Sequence, residues 1–517
     1  MEGNKNNCEI CGRNAYEQNR CIFHLERKDK DPELFQEKLN EIFEEKSLER
    51  YDFTDFVFPD GAEFPDEIKK DVSFLNAVFQ GVVFFPAAFK AQSDFTGTIF
   101  RGATDFSSII FENVTIFDEA EFYDWVDFSG SIFRGIVRFD HATFKESVTF
   151  ESTLFDDDVT FHRSVFVKSA HFDRATFKGK ADFSIAIFYD YASFQSTVLQ
   201  KDVGFKGASF ESHAGFENCT CKSQADFSLA TFKKATRFDQ AVFEDEVNFK
   251  FSIFEDFLFI DEELNHKLFS QKEVDFRRVQ FLKPERVFFR KVDLSRFRFL
   301  ETDLREVNFI DVDWYRDPRK SKRRGVNQIH EEVSADPETN KFDYPLIAQV
   351  YKRLRANYEE NLNYAEAGDF HIGEMNMRKK GEKNVINKTI LYLYEFLFRY
   401  GESFRRPAFF ICFLIFVFPL FFMLAGIAPS EKISGNRIQE SINYDWDFCL
   451  KEFKLSSEMW EDYKTCLLYS ISSMSLVREK PYYPSYFSGY VLTILEYIFM
   501  AAFISFFILA LRRRFRR

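Results

Sequence analysis

Four residues near the start of the chain have the types and spacing of a metal site. Two residues separate Cys8 from Cys11, two separate Cys21 from His24, and nine separate the two pairs. Structural Zn²⁺ is held by four Cys and His donors in a tetrahedron, often supplied as two such pairs. We therefore predict a structural Zn²⁺ site in residues 1–27, with no coordination position left for catalysis. The alternative is a set of surface thiols in a reducing compartment.

A second candidate for chemistry is a short apolar stretch, 463–477, that is rich in serine. The residues of interest in it are Ser470, Ser473, Ser475, Leu476 and Val477. The stretch lies between two long apolar segments, and Glu496 lies six residues into the second of them. An ionisable residue is costly inside a membrane, so Glu496 either faces a pore or extends its carboxylate to the membrane surface. The sequence leaves both interpretations open.

The two long apolar segments predict transmembrane helices at 407–428 and 490–511. Each is long enough for a hydrocarbon core of about 30 Å. Two arginines precede the first segment, and a basic tail at 512–517 follows the second. Basic flanks favour the cytoplasmic side. We therefore expect a two-span protein of the cell membrane with both termini in the cytoplasm and residues 429–489 outside it.

A long segment rich in phenylalanine lies between these candidate sites, and the whole chain has 71 Phe among its 517 residues. A Phe recurs every eleven residues over Phe106–Phe249, and a second series, Phe111–Phe254, follows it five residues behind, with Leu199 and Cys221 in place of Phe. On an eleven-residue helical repeat, positions five apart would point about 130° apart, so a helix would not gather them on one face. Short extended faces joined by corners would place one Phe per face inward. The pattern predicts a mainly β fold, a β-solenoid over 51–314.

These motifs resemble those of the pentapeptide-repeat family. Ala181–Ser184 and Ala225–Ser228 both read Ala-Asp-Phe-Ser. A stricter five-residue spacing links Leu294, Phe299, Leu304, Phe309 and Trp314. The resemblance implies a right-handed quadrilateral β-helix with four faces per coil. Because alternate faces here contain a sixth residue, one coil takes 22 residues, and the register breaks over 255–290, where we expect a loop or an irregular coil.

The remaining segments are assigned to caps and connections. Asp31-Pro32 is a favourable helix start, so 28–50 is expected to form a helix that caps the first coil. Residues 315–384 are interpreted as a linker and a helix pair. Residues 385–406 are expected to form a juxtamembrane helix.

The segment 463–477 resembles the pore helix of two-span, potassium-channel-like proteins, in which an aromatic-Ser-x-x-Thr stretch leads to a Thr-Val-Gly-Tyr-Gly filter. On this alignment Tyr469 and Ser470 begin the pore helix, and Ser475–Val477 approach the filter. The resemblance implies a homo-oligomer, a tetramer by analogy. The chain departs from the pattern at 478–480, which reads Arg-Glu-Lys. A filter needs inward carbonyls, which glycine permits, so potassium selectivity is not expected.

Composition narrows the possible functions. A net charge of −13 argues against nonspecific binding of nucleic acid, and a membrane anchor argues against DNA mimicry. The chain lacks a phosphate-binding glycine loop, a Gly-x-Ser-x-Gly and a His-Glu-x-x-His motif, so we expect no enzyme. Two functions stay open. One is a degenerate channel-like module coupled to a cytoplasmic solenoid that senses a signal or binds a protein. The other is a non-conducting, membrane-anchored scaffold for protein interaction.

Overall fold

The structure is a computed structural model that describes residues 8–9, 20–25, 30–261, 269, 272–317, 325–429, 441–442, 457–474 and 482–515. The chain divides into two compact units, Met1–Asn357 and Tyr358–Arg517. The first contains a β-solenoid, and the second contains the long apolar helices.

The solenoid is built from short parallel strands that form four sheets of twelve, eleven, twelve and nine strands. It begins at Tyr51–Asp52 and its last strand is Asn308–Ile310. One coil supplies one strand to each sheet, for example Val159–Thr160, Val165–Phe166, Ala170–His171 and Thr176–Phe177. Val159 pairs with Ala181 in the next coil, 22 residues later. The predicted β-solenoid is therefore confirmed, with about 11 turns.

Phenylalanine fills the interior of each coil because neighbouring parallel strands bring equivalent side chains into register. Phe183 is fully buried, and its ring stacks on Phe161 and Phe205 at centroid distances of 4.8 and 5.0 Å. Phe172 and Phe194 meet the same ring edge-on, at 5.2 and 5.4 Å. Both arrangements are favourable for aromatic pairs and add to the free energy gained by burying their surface.

Two kinds of corner explain the alternating spacing of five and six. After a Phe of the first series the chain makes a tight turn, in which the Ala175 amide donates to the Phe172 carbonyl at 3.1 Å. Arg174 in this turn has a φ of 57°, and equivalent turns recur every eleven residues. After a Phe of the second series the chain takes a wider corner, such as 178–180. The sixth residue of alternate faces lies in this wider corner.

The expected break in register is found near the end of the solenoid. Val247 pairs with Val274, 27 residues later, and Leu258 pairs with Val287, 29 residues later. Two strands here lengthen to four residues, Leu258–Asp261 and Val287–Arg290. The coil is thus irregular but its sheets continue.

Helices cover both ends of the solenoid. Helix α1 (Pro32–Glu44) begins at the predicted Asp31-Pro32 pair, and the Asp31 carboxylate accepts hydrogen bonds from two amides of the first turn. It is shorter than the expected 28–50. Its buried Phe35 meets Phe58 of the first coil at 5.5 Å.

The opposite end is covered by α2 (His330–Val333) and α3 (Tyr344–Glu360). The Asn357 side-chain amide donates to the carbonyls of Leu304, Arg305 and Val307 at 2.7–2.9 Å. Part of the segment interpreted as a linker therefore caps the last coil.

The second unit contains α4 (Tyr364–Gly381), α5 (Val385–Phe398), α6 (Arg405–Ala425), α7 (Ser457–Met474) and α8 (Phe487–Phe515). Within the described residues, α6 and α8 are long and apolar enough to cross a membrane. A two-stranded antiparallel sheet joins Ile427–Pro429, after α6, to Tyr482–Pro484, before α8.

The juxtamembrane helix expected at 385–406 is wrong in its extent. Helix α5 ends at Phe398, because Arg399 and Tyr400 have φ values of 47° and 57° and Gly401 has 82°. A right-handed helix cannot continue through left-handed residues. A short 3₁₀ turn over Arg399–Gly401 follows, and α6 begins at Arg405.

Candidate functional site

Three of the four predicted metal ligands lie together in the structure. Cys8, Cys21 and His24 are all buried, and their donor atoms lie within 4.8 Å of one another. The Sγ atoms of Cys8 and Cys21 lie 3.5 and 3.1 Å from His24 Nδ1. Cys11, the fourth predicted ligand, lies outside the described residues.

The geometry of this cluster fits a thiolate- and imidazole-bound cation such as Zn²⁺. Tetrahedral bonds of about 2.0–2.3 Å separate donor atoms by roughly 3.3–3.8 Å, and the distances of 3.5 and 3.1 Å from the two sulfurs to Nδ1 lie close to this range. His24 Nε2 lies 3.4 Å from the Thr54 carbonyl oxygen, so it can donate there while Nδ1 faces the sulfurs. Outer contacts of this kind orient ligating histidines in metal sites. The cluster can thus bind a metal ion, which would join 20–25 to the first coil.

The second predicted site is centred on Glu496 in α8. Its side chain is fully buried against α7, where Ser470 Oγ donates to Oε1 at 2.5 Å and Ser473 Oγ to Oε2 at 3.2 Å. The sequence favoured neither a pore-facing carboxylate nor one that extends to the membrane surface. The structure instead buries Glu496 between α7 and α8. There the hydroxyl groups of Ser470 and Ser473 replace the water that a carboxylate would otherwise need.

Further contacts hold α7 between the two apolar helices. The Tyr469 and Thr493 hydroxyls lie 2.9 Å apart, and Tyr469 meets the ring of Phe422 edge-on at 4.9 Å. Tyr463 donates to the Phe416 carbonyl of α6 at 2.9 Å. Tyr497 donates to the Ser473 carbonyl. All these contacts lie in the second half of α6 and the first half of α8, so α7 packs into the part of the pair next to the inter-span segment.

The extent of α7 differs from the predicted pore-helix-like segment. The helix begins at Ser457, six residues before 463, and is described as far as Met474. Ser475, Leu476 and Val477 lie outside the described residues, as does the Arg-Glu-Lys triplet at 478–480. Cys466 is buried in α7, and Cys449 lies outside the described part of the chain.

Sequence reasoning missed two further polar residues of α8 that contact α7. Thr493 lies three residues before Glu496 and contacts the Tyr469 hydroxyl, and Tyr497 lies one residue after it and donates to the Ser473 carbonyl. Their polar groups inside a predicted span were a usable signal, because such groups need a partner in hydrocarbon.

A buried ionic cluster at the C-terminal end of the solenoid also escaped the sequence analysis. Arg298 is 1% exposed and donates from two nitrogens to Glu273, at 2.8 Å each, and His330 Nε2 lies 2.9 Å from the same carboxylate. These contacts lower the pKa of Glu273 to about 2, chiefly through Arg298. Burial lowers the pKa of His330. Burial raises the pKa of the neighbouring Glu331 to about 7.

Comparisons with known proteins agree with the solenoid. The family model described as "Pentapeptide repeats (9 copies)" matches residues 95–143 and 139–186. This match and the four-sheeted solenoid support a pentapeptide-repeat protein.

An uncharacterised protein of Methanocaldococcus jannaschii is 27% identical over 144 residues, which cover 25% of this chain. The match spans 31% of that protein, so it covers less than a third of the relative's own length. No solved structure matches the chain.

Proposed function

We propose that this protein is a membrane-bound repeat protein whose two-span module resembles an ion channel and whose solenoid acts as a cytoplasmic sensing or interaction domain. The observation that carries the proposal is the placement of α7. It lies between the two apolar helices in sequence, packs on both, and is held by the Ser470 and Ser473 contacts to Glu496. A helix inserted between two spans in this way is the basic unit of two-span channels.

The surfaces of α6 and α8 support a membrane location. Large apolar side chains are exposed along α6, among them Phe409, Phe413 and Phe416, and along α8, among them Ile494 and Ile498. An exposed apolar surface of this extent is unfavourable in water and favourable in lipid. The two helices therefore suit a bilayer better than a solvated surface.

One ion pair supports the proposed topology. Arg513, near the end of α8, lies 2.9 Å from Glu402, just before α6. The basic flanks of the two spans thus lie at the same end of the helix pair. A preference of basic flanks for the cytoplasm would place both termini on that side.

The N-terminal cluster supports a structural role for zinc within this proposal. Three of its donors are buried, and Cys11 would supply the fourth, so the metal would stabilise the first coil rather than perform chemistry. A cytoplasmic N-terminus would keep these thiols reduced and available to bind the metal.

The second candidate function is a non-conducting scaffold, anchored by α6 and α8, whose solenoid binds a protein partner. Two observations favour it. The charged triplet at 478–480 stands where filter glycines are expected, and Glu496 is buried by α7 rather than open to a pore. In this function the Glu496 contacts would only stabilise the helix pair.

Ion flux separates the two functions. The full chain would be purified, reconstituted into liposomes and tested with separate K⁺, Na⁺ and Cl⁻ gradients. The channel-like function predicts flux of at least one ion, which Glu496→Gln changes because the substitution removes the buried charge that holds α7. Ser505→Ala is the matched control, since Ser505 is exposed and, within the described part of the chain, bonds to the Ala501 carbonyl of α8 itself at 2.7 Å. If none of the three ions crosses the membrane, the channel-like function is contradicted and the non-conducting scaffold is favoured.

The oligomeric state is part of the same proposal. Two spans cannot enclose a pore alone, so conduction requires a homo-oligomer, for which the channel analogy suggests a tetramer. Mass measurement of the protein in detergent, on the sample used for flux, tests this. A monomer that conducts would contradict the channel analogy.

A further inference from the structure

Helix α5 has an unusual distribution of exposed residues. Its solvent-exposed side is mostly apolar: Ile386 is 71%, Leu393 53% and Phe396 64% exposed, and Val385, Ile390 and Tyr392 are also exposed, with Asn387 and Thr389 as the exposed polar residues. The polar Glu395 instead forms an ion pair with Lys379 of α4. A helix on the surface of a soluble domain has the opposite arrangement, with its apolar side inward.

The last turns of α5 are fixed to the ends of the two apolar helices. Phe398 stacks on Phe506 at 4.0 Å, and Tyr394 lies 5.9 Å from the same ring. Phe396 meets Phe410 of α6 edge-on at 5.7 Å. Phe506 precedes Arg512 by six residues, a helical rise of about 9 Å. The C-terminal end of α5 is therefore about two turns from the arginines that end α8.

That depth corresponds to the boundary between headgroups and acyl chains. The arginines at the end of a span lie among the headgroups, and the residues one to two turns deeper lie at the edge of the hydrocarbon. Beside α5, the Lys379 ammonium lies 4.6 Å from the centre of the Tyr392 ring. Tyrosine and lysine together are typical of the membrane interface, where an apolar body and a polar tip are both satisfied.

We propose that the exposed apolar face of α5 lies on the lipid bilayer, at the headgroup–acyl boundary of the leaflet that holds the basic helix ends. The apolar surface is then continuous from α5 to the exposed rings of α6, and a single partner, phospholipid, covers both. Helices with one apolar face bind membranes in this orientation. This inference rests on the proposed membrane location of α6 and α8.

A second copy of the chain is the competing occupant of this face. The contacts of α5 with the two apolar helices favour lipid, because Phe396 meets Phe410 of α6 and Phe398 stacks on Phe506 of α8, so the exposed face adjoins side chains that the bilayer would already cover. The Arg406 side chain also donates to the Glu395 and Phe396 carbonyls, which holds the end of α5 at the start of the span.

Photo-crosslinking from single positions tests the assignment in the full chain. A benzophenone amino acid would replace Leu393, in liposomes of phosphatidylcholine and phosphatidylglycerol, and lipid adducts would be counted by mass spectrometry after illumination. Asn387 is the matched control, since it is also exposed but lies about 120° around the helix from Leu393. Phe413, in the middle of α6, is the positive control.

The expected result is a lipid adduct from Leu393 at a yield near that of Phe413 and at least fivefold above that of Asn387. Lipid adducts at Phe413 but not at Leu393 would overturn the placement of α5 and leave the membrane spans standing. Crosslinked dimers from Leu393 without lipid would assign the face to a second copy and overturn the proposal. No lipid adduct at either position would contradict the membrane location itself.

Discussion

At the scale of single residues, His24 is the centre of the N-terminal cluster. Its two ring nitrogens have different neighbours: Nδ1 faces the sulfurs of Cys8 and Cys21, and Nε2 faces the Thr54 carbonyl. The pair spacing of the cysteines and histidine was visible in the sequence. The contact with Thr54 was not, because it depends on how the first coil folds back on residues 20–25.

We predict that Cys21→Ser removes the bound metal. Loss of one thiolate leaves too few donors for a stable tetrahedral site, so zinc should fall from about one ion per chain to nearly none. Metal content of the purified protein, measured by mass spectrometry, checks this. Cys412→Ser is the control, since Cys412 is an exposed cysteine in α6. Unchanged zinc in Cys21→Ser would refute the site.

The Ser470–Glu496 contact should couple α7 to α8. We predict a coupling free energy of about 1–2 kcal/mol between Ser470→Ala and Glu496→Gln, because a hydroxyl that donates to a buried carboxylate contributes more than a neutral pair. A double-mutant cycle of unfolding in mixed detergent micelles measures it. The same cycle with Ser505→Ala should give less than about 0.5 kcal/mol. Equal values in both cycles would mean that the contact does not hold α7.

At the scale of elements, the coil was the most predictable part of the fold. Its inward Phe positions must recur with the length of each face, so spacing revealed the alternating faces of five and six residues and the irregular stretch after Phe254, while the four faces that make a 22-residue coil came from the family resemblance. The caps were less predictable. The Asp31-Pro32 pair marks the start of α1 locally, whereas α3 covers the last coil through Asn357, whose three carbonyl partners lie some fifty residues away in the chain.

We predict that Phe183→Asp destabilises the solenoid by more than about 4 kcal/mol. The substitution removes a fully buried ring and places a charge among the four Phe rings that contact it. Both the lost packing and the buried charge lower the free energy of unfolding. Phe84→Asp is the matched control, since Phe84 lies in a strand of the same solenoid but is 59% exposed. Thermal unfolding followed by β-sheet circular dichroism compares them. Similar midpoints for the two variants would contradict the stacked interior.

The C-terminal cap should depend on pH through Glu331. Its Oε1 accepts a hydrogen bond from the Phe299 amide, and burial raises its pKa to about 7. The pKa of Glu331 is thus higher in the folded protein than in the unfolded chain, where it is about 4.3. The contribution of Glu331 to stability is therefore fully present below about pH 4.3 and is lost as pH rises through 7. A pKa shift of this size corresponds to a change of about 3–4 kcal/mol in the free energy of unfolding.

We predict that Glu331→Gln reduces this pH dependence. Hydrogen exchange of the Phe299 amide, corrected for its intrinsic rate, should lose protection between pH 5.5 and 8 in the parent and much less in the variant. Both proteins retain Glu273, Arg298 and His330, so their difference isolates Glu331. Glu306→Gln, at an exposed position, is the control and should behave like the parent. The same loss of protection in Glu331→Gln would contradict the assignment.

At the scale of the whole molecule, the chain divides into two compact units, one with the solenoid and one with the apolar helices. The order of segments, a Cys/His cluster, a solenoid, connecting helices and two apolar helices, followed from motif spacing, periodicity and composition. The position of α7 did not, because the contacts of Ser473 with Glu496 and Tyr497 join residues more than twenty positions apart. Local sequence indicates that such polar groups need partners, but only the packed helices identify them.

All the proposals for the second unit require α6 and α8 to cross a bilayer with their basic ends on one side. The most direct test is labelling of full-length protein in sealed liposomes of known orientation with a membrane-impermeant maleimide. Single cysteines would replace Ser485, just before α8, and Arg512, near its end, both of which are exposed. Peptide mass spectrometry would distinguish these sites from the native cysteines. The account predicts that external reagent labels only one of the two positions and that detergent exposes the other. Equal labelling of both positions in intact liposomes would contradict it.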